Sequence, residues 1–448
     1  MGKYFGTDGF RGLAGSDLTA YHAFKIGQFL GSYLKNEKKG KIKAAIGKDT
    51  RLSSYMLEYG IASGLASAGV DTYLLHVTTT PSVSYVVTTD QFDIGIMISA
   101  SHNPYYDNGI KILNNKGEKL SEEITDKIEE YLDSGTPPEL ATREEIGKIV
   151  DYYEGRNRYI GYLIALAKNS FKKYKIGLDT ANGSCHMIAK SVFEALGANV
   201  YIINNEPNGT NINKNAGSTH IDVLQSFVKE KGLDVGFAFD GDGDRCICVD
   251  EKGNVVNGDH IMYLLAKELK EKGELLTNTV VTTVMSNLGL YNALDKINIA
   301  YEKTSVGDRF VYESIVKNGH SLGGEESGHI ILSKYATTGD GILTAIKIMD
   351  TLADKKQTLS YLLKDIKMLP QKTLNFVVKN KEKALSNQAL QLLCKEIEGE
   401  LYKNGRILLR ASGTEPKIRV MLECESEEQL ERYSEKINDV IIKEKLNG

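Results

Sequence analysis

The sequence predicts an α/β protein built from three similar α/β units with mixed or parallel sheets, followed by a smaller C-terminal α+β unit. The chain has 448 residues, more than a single hydrophobic core usually accommodates. Strand-like and helix-like segments alternate through most of it, which is typical of parallel sheets covered by helices. After Pro370 the order of elements changes, and it favours a small antiparallel sheet.

The first unit contains three predicted strands and an amphipathic helix. Strands are expected to start at 44–47 and to cover 71–77 and 92–98. The helix is expected over 120–132, because apolar residues recur there at four-residue spacing: Leu120, Ile124, Ile128 and Leu132. A charged stretch with two prolines near 135–155 marks a weak boundary.

The later units repeat and then vary this pattern. The second has strands from 174 and over 235–239, and the third a helix around 260–271 and a strand over 279–283. The C-terminal unit has a strand at 373–378, a helix at 381–397, strands at 406–410 and 418–422, and a last helix opened by a Ser426–Gln429 capping box. We therefore expect domains at 1–150, 151–252, 253–367 and 368–448, around a central cleft, with a hinge near 365–372.

Composition excludes several classes of function. The formal net charge is −4, from 55 basic and 59 acidic residues, and no long basic stripe indicates nucleic acid as a partner. No apolar stretch approaches the ~20 residues needed to span a membrane, and no signal-peptide core is expected. Five scattered cysteines indicate free thiols in a reducing cytoplasm, namely Cys185, Cys246, Cys248, Cys394 and Cys424.

The run Asp240-Gly241-Asp242-Gly243-Asp244-Arg245 is the most informative segment. Three carboxylates at alternate positions repel one another unless a cation neutralises them, and oxygen ligands favour Mg²⁺ or Ca²⁺. A solvated turn is one alternative. An EF-hand is another, with Glu251 at its twelfth position, but Arg245 stands where that loop needs glycine and both flanks read as strands.

Three more polar loops follow predicted strands. The segment 99–104 directly follows the predicted strand that ends at Ile98, and it contains Ser101, His102 and Asn103. It suits a nucleophile held on a turn, or an ordinary Asn-Pro turn. Glu325 to His329 offers carboxylates and a hydroxyl suited to sugar hydroxyls, or a solvated turn. The segment from Arg410 to Arg419 has two arginines beside a Ser-Gly-Thr turn. It is interpreted either as a phosphate-binding loop or as a plain connection between two strands.

Taken in order and spacing, these loops resemble the α-D-phosphohexomutase family, most of all its bacterial branch that acts on glucosamine phosphate. The resemblance spans nearly the whole chain. It also includes the segments 4–12, 211–220, 284–289 and 306–309. One departure is Glu326, where that branch more often has glutamine.

The resemblance implies a role for each matching residue. Ser101 would be the active-site serine, carried as phosphoserine, and Asp240, Asp242 and Asp244 would hold Mg²⁺ against its phosphate oxygen. The resemblance implies that two residues contact sugar hydroxyls, Glu325 and Ser327. It implies that five residues bind the phosphate that is not being transferred, Arg410, Ser412, Gly413, Thr414 and Arg419. It also implies that five residues line the reaction centre, Arg11, His102, Lys111, Arg245 and His329. Lys111 is the expected general acid/base.

The implied reaction interconverts glucosamine 6-phosphate and glucosamine 1-phosphate through a 1,6-bisphosphate, feeding UDP-N-acetylglucosamine and cell-wall precursors. Glucosamine or glucose 1,6-bisphosphate would be the activator. The expected partner is a small sugar phosphate, with no nucleic acid or membrane, and the protein would be a monomer or homodimer. The alternatives are a phosphomannomutase/phosphoglucomutase, a metal-dependent serine phosphatase and a non-enzymatic binding protein.

Overall fold

The computed structural model describes residues 3–6, 8–136, 138–412 and 416–446. The chain divides into two compact units. The large unit contains Met1–Met285 and Ala300–Leu363, and the small unit contains Ser286–Ile299 and Lys364–Gly448. None of the described helices has the length and apolarity needed to cross a membrane.

The N-terminal part of the large unit is a seven-stranded mixed sheet flanked by helices. Its strands are β1 (Phe5–Gly6), β2 (Gly9–Leu13), β3 (Ile42–Lys48), β4 (Val70–Val77), β5 (Ile94–Ile98), β6 (Asp107–Asn114) and β7 (Ile149–Asp151), in the order β1-β2-β6-β5-β3-β4-β7. The helices are α1 (Ala20–Glu37), α2 (Ser54–Ser67), α3 (Thr80–Thr89) and α4 (Glu122–Ser134).

Helices α1 and α2 approach each other closely because glycines lie at their contact. A Cβ on Gly27 would lie 2.4 Å from the carbonyl oxygen of Ile61, and one on Gly64 would lie 2.1 Å from that of Phe24. Any larger side chain at either position would force the helices apart. The α1–α2 pair covers one face of β5, and α3 packs against Met97 on the other face. Strand β5 is therefore buried along its whole length, as expected for a strand between two helical layers.

The middle of the large unit has a five-stranded sheet in the order β12-β11-β10-β8-β9. Strands β8 and β9 are parallel to β10, whereas β11 and β12 are antiparallel. The elements are α5 (Tyr153–Leu166), β8 (Lys175–Asp179), α6 (Ala189–Ala195), β9 (Asn199–Ile203), α7 (Ile221–Lys231), β10 (Val235–Phe239), β11 (Cys246–Asp250) and β12 (Val255–Val256).

A four-stranded sheet in the order β14-β13-β15-β16 follows. Its strands are β13 (Thr279–Thr283), β14 (Ala300–Thr304), β15 (Leu322–Gly324) and β16 (Ile330–Leu332). The helices of this segment are α8 (Gly258–Glu271), α9 (Leu288–Lys296), α10 (Asp308–Asn318), α11 (Gly341–Lys355) and α12 (Leu359–Leu362), of which α9 belongs to the small unit.

The three sheets of the large unit share one feature. In each, a strand that is parallel to one neighbour forms an antiparallel hairpin with the strand that follows it in the chain: β5–β6, β10–β11 and β15–β16. The hairpin connections are residues 99–106, 240–245 and 325–329, here called the serine loop, the acidic loop and the sugar loop. Each therefore leaves the sheet at the carboxyl end of a parallel strand, where open α/β sheets bind ligands.

The small unit is an antiparallel three-stranded sheet covered by helices. It contains β17 (Gln371–Val377), α13 (Lys381–Leu385), α14 (Gln388–Leu401), β18 (Arg406–Ala411), β19 (Lys417–Glu423) and α15 (Glu427–Lys443), with β19 in the centre. Helix α9 joins it through Asn287, which donates to the carbonyl oxygen of Leu369 at 3.0 Å and accepts from its N–H at 3.0 Å. The expected hinge near 365–372 stays a prediction.

Two predicted details of the small unit are wrong. The single helix expected over 381–397 is two helices, because Asn380 caps α13 and Asn387 caps α14. The capping box of α15 is only half formed. The side chain of Ser426 accepts from the N–H of Gln429, but the Oε1 of Gln429 has no hydrogen-bond partner.

Candidate active site

The serine loop and the acidic loop meet in the large unit. Ser101, which is 1 % exposed, donates from its Oγ to Oδ2 of Asp240 at 2.5 Å. Gly241 makes this approach possible, because a Cβ there would lie 2.4 Å from the carbonyl oxygen of Ser101. Two residues separated by 139 positions in the chain are thus brought into direct contact.

Ser101 is held in an uncommon backbone conformation. Its φ of 51° is left-handed, which is unfavourable for a residue with a side chain and persists where neighbours enforce it. Its N–H donates to the Oγ of Ser99 at 2.9 Å, and Ser99 donates to the carboxylate of Asp49 at 2.7 Å. From the 211–220 segment, Asn213 donates to the carbonyl oxygen of Ser101 at 2.8 Å. The main chain of the serine loop therefore fixes the position of the Oγ of Ser101.

The acidic loop fits a divalent cation. Each of its three aspartates offers an oxygen within 4.8 Å of the others, and all three residues are buried. Oδ1 of Asp242 and Oδ1 of Asp244 are buried with no hydrogen-bond partner, an arrangement that is costly unless a ligand satisfies it. Burial, and then the charges of Asp244 and Asp242, raise the pKa of Asp240 well above its usual range. A hard cation would relieve both costs.

Several residues that the sequence predicts for the site have buried polar atoms without a hydrogen-bond partner. Among the described residues, the buried atoms without a partner include Nε of Arg11, Nε of Arg245, Nδ1 of His102 and Oγ of Ser327. Burial, with help from Arg245 and Arg11, lowers the pKa of His102 to about 4, so its imidazole is neutral at pH 7. The guanidinium groups of Arg11 and Arg245 are donors of the kind that suits a phosphate group.

Lys111, on β6, is a buried ammonium among carboxylates. Its Nζ lies 2.8 Å from Asp242, 3.3 Å from Asp244 and 3.3 Å from Asp8. Burial alone would lower the pKa of Lys111, but these three carboxylates raise it well above its usual range. The charge of Lys111 therefore offsets part of the negative charge of the acidic loop.

Three residues that the sequence did not predict, Asp8, Lys119 and Asp308, extend this network to His329, which it did predict. Lys119 bridges Asp8 at 2.8 Å and Asp308 at 2.7 Å. His329 lies 3.6 Å from Asp308 and 3.7 Å from Asp244. Asp8 and Asp308 both lie in the segments that carry the family resemblance, whereas nothing in the sequence around Lys119 signals its role.

The backbone N–H of Gly339 determines how His329 carries its proton. It donates to Nε2 of His329 at 3.0 Å. This contact favours the tautomer with its proton on Nδ1, which lies 3.7 Å from Asp244.

The sugar loop is tied to the acidic loop through the main chain. The N–H of Cys246 donates to the carbonyl oxygen of Gly328 at 3.0 Å. Glu325 accepts from the N–H of Gly307 at 3.1 Å. Asn257, the N-cap of α8, donates to Oε1 of Glu326 at 3.4 Å. The large unit therefore brings together the serine, acidic and sugar loops, with Arg11 and Lys111 beside them.

The remaining predicted residues lie in the small unit. Arg410 and Arg419 face each other across β18 and β19 in register. Burial, and then the charge of Arg419, lower the pKa of Arg410. Lys381 donates to the carbonyl oxygen of Ser412 at 3.0 Å. Like charges held this close favour an anion between them. Gly413 and Thr414 lie outside the described residues.

Comparison with known proteins gives a consistent result. Models of domains I, II, III and IV of the phosphoglucomutase/phosphomannomutase family match residues 2–139, 157–253, 257–369 and 374–440. A curated relative from Lachnospira eligens named phosphoglucosamine mutase is 57% identical over 444 residues, which cover 98% of each chain.

Solved structures share the fold at lower identity. A phosphoglucomutase/phosphomannomutase family protein from Burkholderia thailandensis has a TM-score of 0.82 at 22% identity, covering 98% of both chains. An Aspergillus fumigatus N-acetylphosphoglucosamine mutase, solved with GlcNAc-6P and magnesium, has a TM-score of 0.70 at 18% identity, covering 98% of this chain and 95% of that one. The architecture is thus three α/β domains and a C-terminal domain. The chain belongs to the phosphoglucomutase/phosphomannomutase, or α-D-phosphohexomutase, family of isomerases.

Proposed function

We propose that the protein interconverts glucosamine 6-phosphate and glucosamine 1-phosphate. Relatives at 57% and 56% identity that are named phosphoglucosamine mutase support this proposal. One observation carries the proposal: the Oγ of a buried, conformationally constrained serine contacts one member of a buried cluster of three aspartates. Phosphoryl transfer requires in-line placement and neutralised oxygens more than covalent assistance, and this contact puts the nucleophile and the charge-neutralising site together.

The reaction begins with Ser101 carried as a phosphoserine. The bond between phosphorus and Oγ breaks as a bond forms from phosphorus to O1 of the sugar, giving a 1,6-bisphosphate. The proton lost by the O1 hydroxyl is recovered at Oγ, which donates to Asp240 in the unphosphorylated protein. The bisphosphate then reorients in the site, and its 6-phosphoryl group is transferred to Oγ of Ser101. In this step Oγ loses its proton and O6 of the sugar gains one.

Basic side chains would stabilise the charge on the transferring group. Arg11 and Arg245 each have a buried Nε that makes no hydrogen bond, and their charges act on His102, the neighbour of Ser101 in the chain. Fixed donors in a water-poor site stabilise developing charge strongly. Lys111 holds Asp242 and Asp244, and its role as general acid/base stays a hypothesis.

Mg²⁺ is the cation we propose for the acidic loop, held by Asp240, Asp242 and Asp244 together with an oxygen on Ser101. When bound, it would supply neutralisation of the phosphoryl oxygens. The donor set supports this choice, because carboxylates and a hydroxyl are hard oxygen ligands.

Substrate binding would be divided between two groups of residues. Glu325 and Ser327 would bind sugar hydroxyls, and Ser327 has a buried hydroxyl with no partner. Arg410, Ser412, Gly413, Thr414 and Arg419 would bind the phosphate that is not being transferred. An arginine pair suits that task because it recognises a phosphate dianion in either orientation of the sugar.

The proposal also includes finer expectations from the sequence. Glucosamine or glucose 1,6-bisphosphate would activate the enzyme by phosphorylating Ser101. The protein would act in the cytoplasm on a small sugar phosphate, without nucleic acid or membrane, as a monomer or homodimer. The expected domain boundaries at 1–150, 151–252, 253–367 and 368–448 belong to the proposal too.

The deciding experiment compares substrates. Full-length protein with Mg²⁺ and glucose 1,6-bisphosphate is assayed on the 6-phosphates of glucosamine, glucose and mannose, with sugar 1-phosphate measured by ³¹P NMR. We expect kcat/KM for glucosamine phosphate to exceed the others by at least about tenfold, as discrimination of a polar substituent allows. A preference for glucose or mannose would instead support a phosphoglucomutase or phosphomannomutase.

Two variants test the covalent route. Ser101→Ala should abolish turnover, and peptide mapping of the wild type should place phosphate on Ser101. Ser226→Ala, on an exposed position of α7, is the matched control and should retain activity. Turnover by Ser101→Ala would rule out the phosphoserine, release of inorganic phosphate without sugar 1-phosphate would indicate a phosphatase, and full activity in excess EDTA would rule out the metal.

A further inference from the structure

The oxygens of the acidic loop are occupied unequally by protein donors. Oδ2 of Asp242 accepts from Oγ1 of Thr80 at 2.5 Å and from Nζ of Lys111 at 2.8 Å, whereas its Oδ1 is buried without a partner. Oδ2 of Asp244 likewise lies 3.3 Å from Lys111, and its Oδ1 has no hydrogen-bond partner. In Asp242 and Asp244, one carboxylate oxygen is therefore held by protein donors, and the other accepts no hydrogen bond.

Thr80 is the neutral donor among these, and it holds Asp242 at two points. Its backbone N–H donates to the carbonyl oxygen of Asp242 at 2.9 Å, in addition to the hydroxyl contact. Thr80 is the first residue of α3 and only 4 % exposed. It lies 162 positions from Asp242 in the chain. The first residue of α3, which flanks the seven-stranded sheet, therefore binds a loop of the five-stranded sheet.

The hydroxyl of Thr80 is not needed to cap its own helix. Thr79 is the N-cap of α3, and its side chain accepts from the N–H of Ser82. Threonines at helix starts usually satisfy the free N–H groups of the first turn, but here the preceding residue does so. The hydroxyl of Thr80 is therefore directed outward, to a carboxylate.

Thr80 and Lys111 would affect a cation at Asp242 differently. Lys111 brings a positive charge that competes with a cation for the same carboxylate. Thr80 brings a hydrogen bond without a charge, so it restricts rotation of the carboxylate at no electrostatic cost to the cation. A partner of this kind orients a metal ligand and strengthens binding.

From this geometry we infer that Thr80 is a positioning residue for the divalent cation: its hydroxyl holds Oδ2 of Asp242 so that Oδ1 faces the ion. The inference rests on the proposed role of the acidic loop in binding a metal. It assigns a function to the first residue of α3.

The test is direct binding of Mn²⁺, as a spectroscopic substitute for Mg²⁺, to dephosphorylated full-length protein, measured by EPR titration. Thr80→Val keeps the shape but removes the donor, and Thr80→Ser keeps the donor. We expect the Kd of Thr80→Val to rise by about 10- to 100-fold, the usual effect of removing a hydrogen-bond partner of a metal ligand. Thr80→Ser should stay within about threefold of the wild type.

A Kd for Thr80→Val within about twofold of the wild type would overturn the inference, as would a Thr80→Ser variant as weak as Thr80→Val. If Thr80→Val does not fold, as judged by circular dichroism, Thr80→Ala takes its place with the same expected result. Asp242→Asn separates the two levels. If it binds Mn²⁺ as the wild type does, the metal role of the acidic loop fails; if it loses binding while Thr80→Val does not, only the role of Thr80 fails.

Discussion

Nη2 of Arg51 lies 2.9 Å from the carbonyl oxygen of Ser101. The same guanidinium donates to the carbonyl oxygens of Asn103, Pro104 and Asp107, and its Nε donates to Asp49 at 2.7 Å. Arg51 is fully buried. A single side chain therefore binds four main-chain carbonyls of the serine loop and its flank, which explains how Ser101 keeps its left-handed φ.

Replacing Arg51 by lysine should impair catalysis much more than substrate binding. An ammonium cannot serve four carbonyls arranged around a planar fork, so the serine loop would lose its fixed geometry. We expect kcat to fall by about 10²-fold, the effect of misplacing a reacting group by about 1 Å. KM for the sugar phosphate should change little, since Arg51 contacts none of the proposed sugar-binding residues. Steady-state kinetics measures both.

A matched control separates this effect from loss of an arginine as such. Arg158, which is partly exposed and paired with Asp90, can be changed to lysine in the same way and should leave kcat unchanged. A kcat for Arg51→Lys within about threefold of the wild type would contradict the proposed role of Arg51.

Much of the fold could be predicted because its signals are local. The strands over 235–239 and 279–283 have the expected bounds, since short apolar runs between turns indicate strands directly. The antiparallel sheet of the small unit was also predicted correctly. The break between α13 and α14 was missed because apolar periodicity continues across it, while Asn387 starts a new helix.

The residues that support the site could not be predicted, because their partners are remote in sequence. Arg51 acts on a loop 50 positions away, Thr80 on a residue 162 positions away, and Lys119 on one 189 positions away. Ser101 and Asp240 stood out because they lie in unusual local patterns. Thr80 and Lys119 stand in no unusual sequence pattern. Their roles follow from contacts that form only when the chain is folded.

Lys119 and Asp308 should be energetically coupled. Lys119→Met would remove the cation that bridges Asp8 and Asp308. Only the longer contacts from Lys111 to Asp8 and from His329 to Asp308 would remain, and losing one partner of a largely buried ion pair is costly. We expect Lys119→Met to lower the free energy of unfolding by about 2 kcal/mol, and Asp308→Asn in the same chain to restore about half of it. A double-mutant cycle followed by urea unfolding measures the coupling. Strict additivity of the two changes would argue against it.

Glu326→Gln should have little effect on substrate preference. Glutamine offers the same Oε1 acceptor to Asn257, so the contact that holds this side chain persists. We expect kcat/KM for glucosamine phosphate to change by no more than about threefold, equivalent to roughly 0.6 kcal/mol. Glu325→Gln is the informative comparison and should cost far more. A change of preference from one hexose phosphate to another in Glu326→Gln would place the choice of sugar at this position.

Asp340 should make the stability of the protein depend on pH between about 4 and 6. It is 2 % exposed, caps α11 through the N–H of Leu343 and accepts from the hydroxyl of Tyr159 at 2.7 Å. Burial raises the pKa of Asp340 from 3.8 to about 6. Between these values the folded protein binds more protons than the unfolded chain, so this group stabilises most below about pH 4, and its contribution is lost as the pH rises to 6.

Asp340→Asn should remove this dependence, because asparagine is also a good N-cap and carries no charge. From pH 4 to pH 7, the free energy of unfolding of Asp340→Asn should rise by about 3 kcal/mol relative to that of the wild type, because a pKa difference is worth about 1.4 kcal/mol per unit. The measurement is the free energy of unfolding by urea for both proteins across this range. Parallel curves would show that the buried carboxylate of Asp340 is ionised as easily in the folded protein as in the unfolded chain, so the stabilising contacts from Tyr159 and Leu343 would then outweigh its burial.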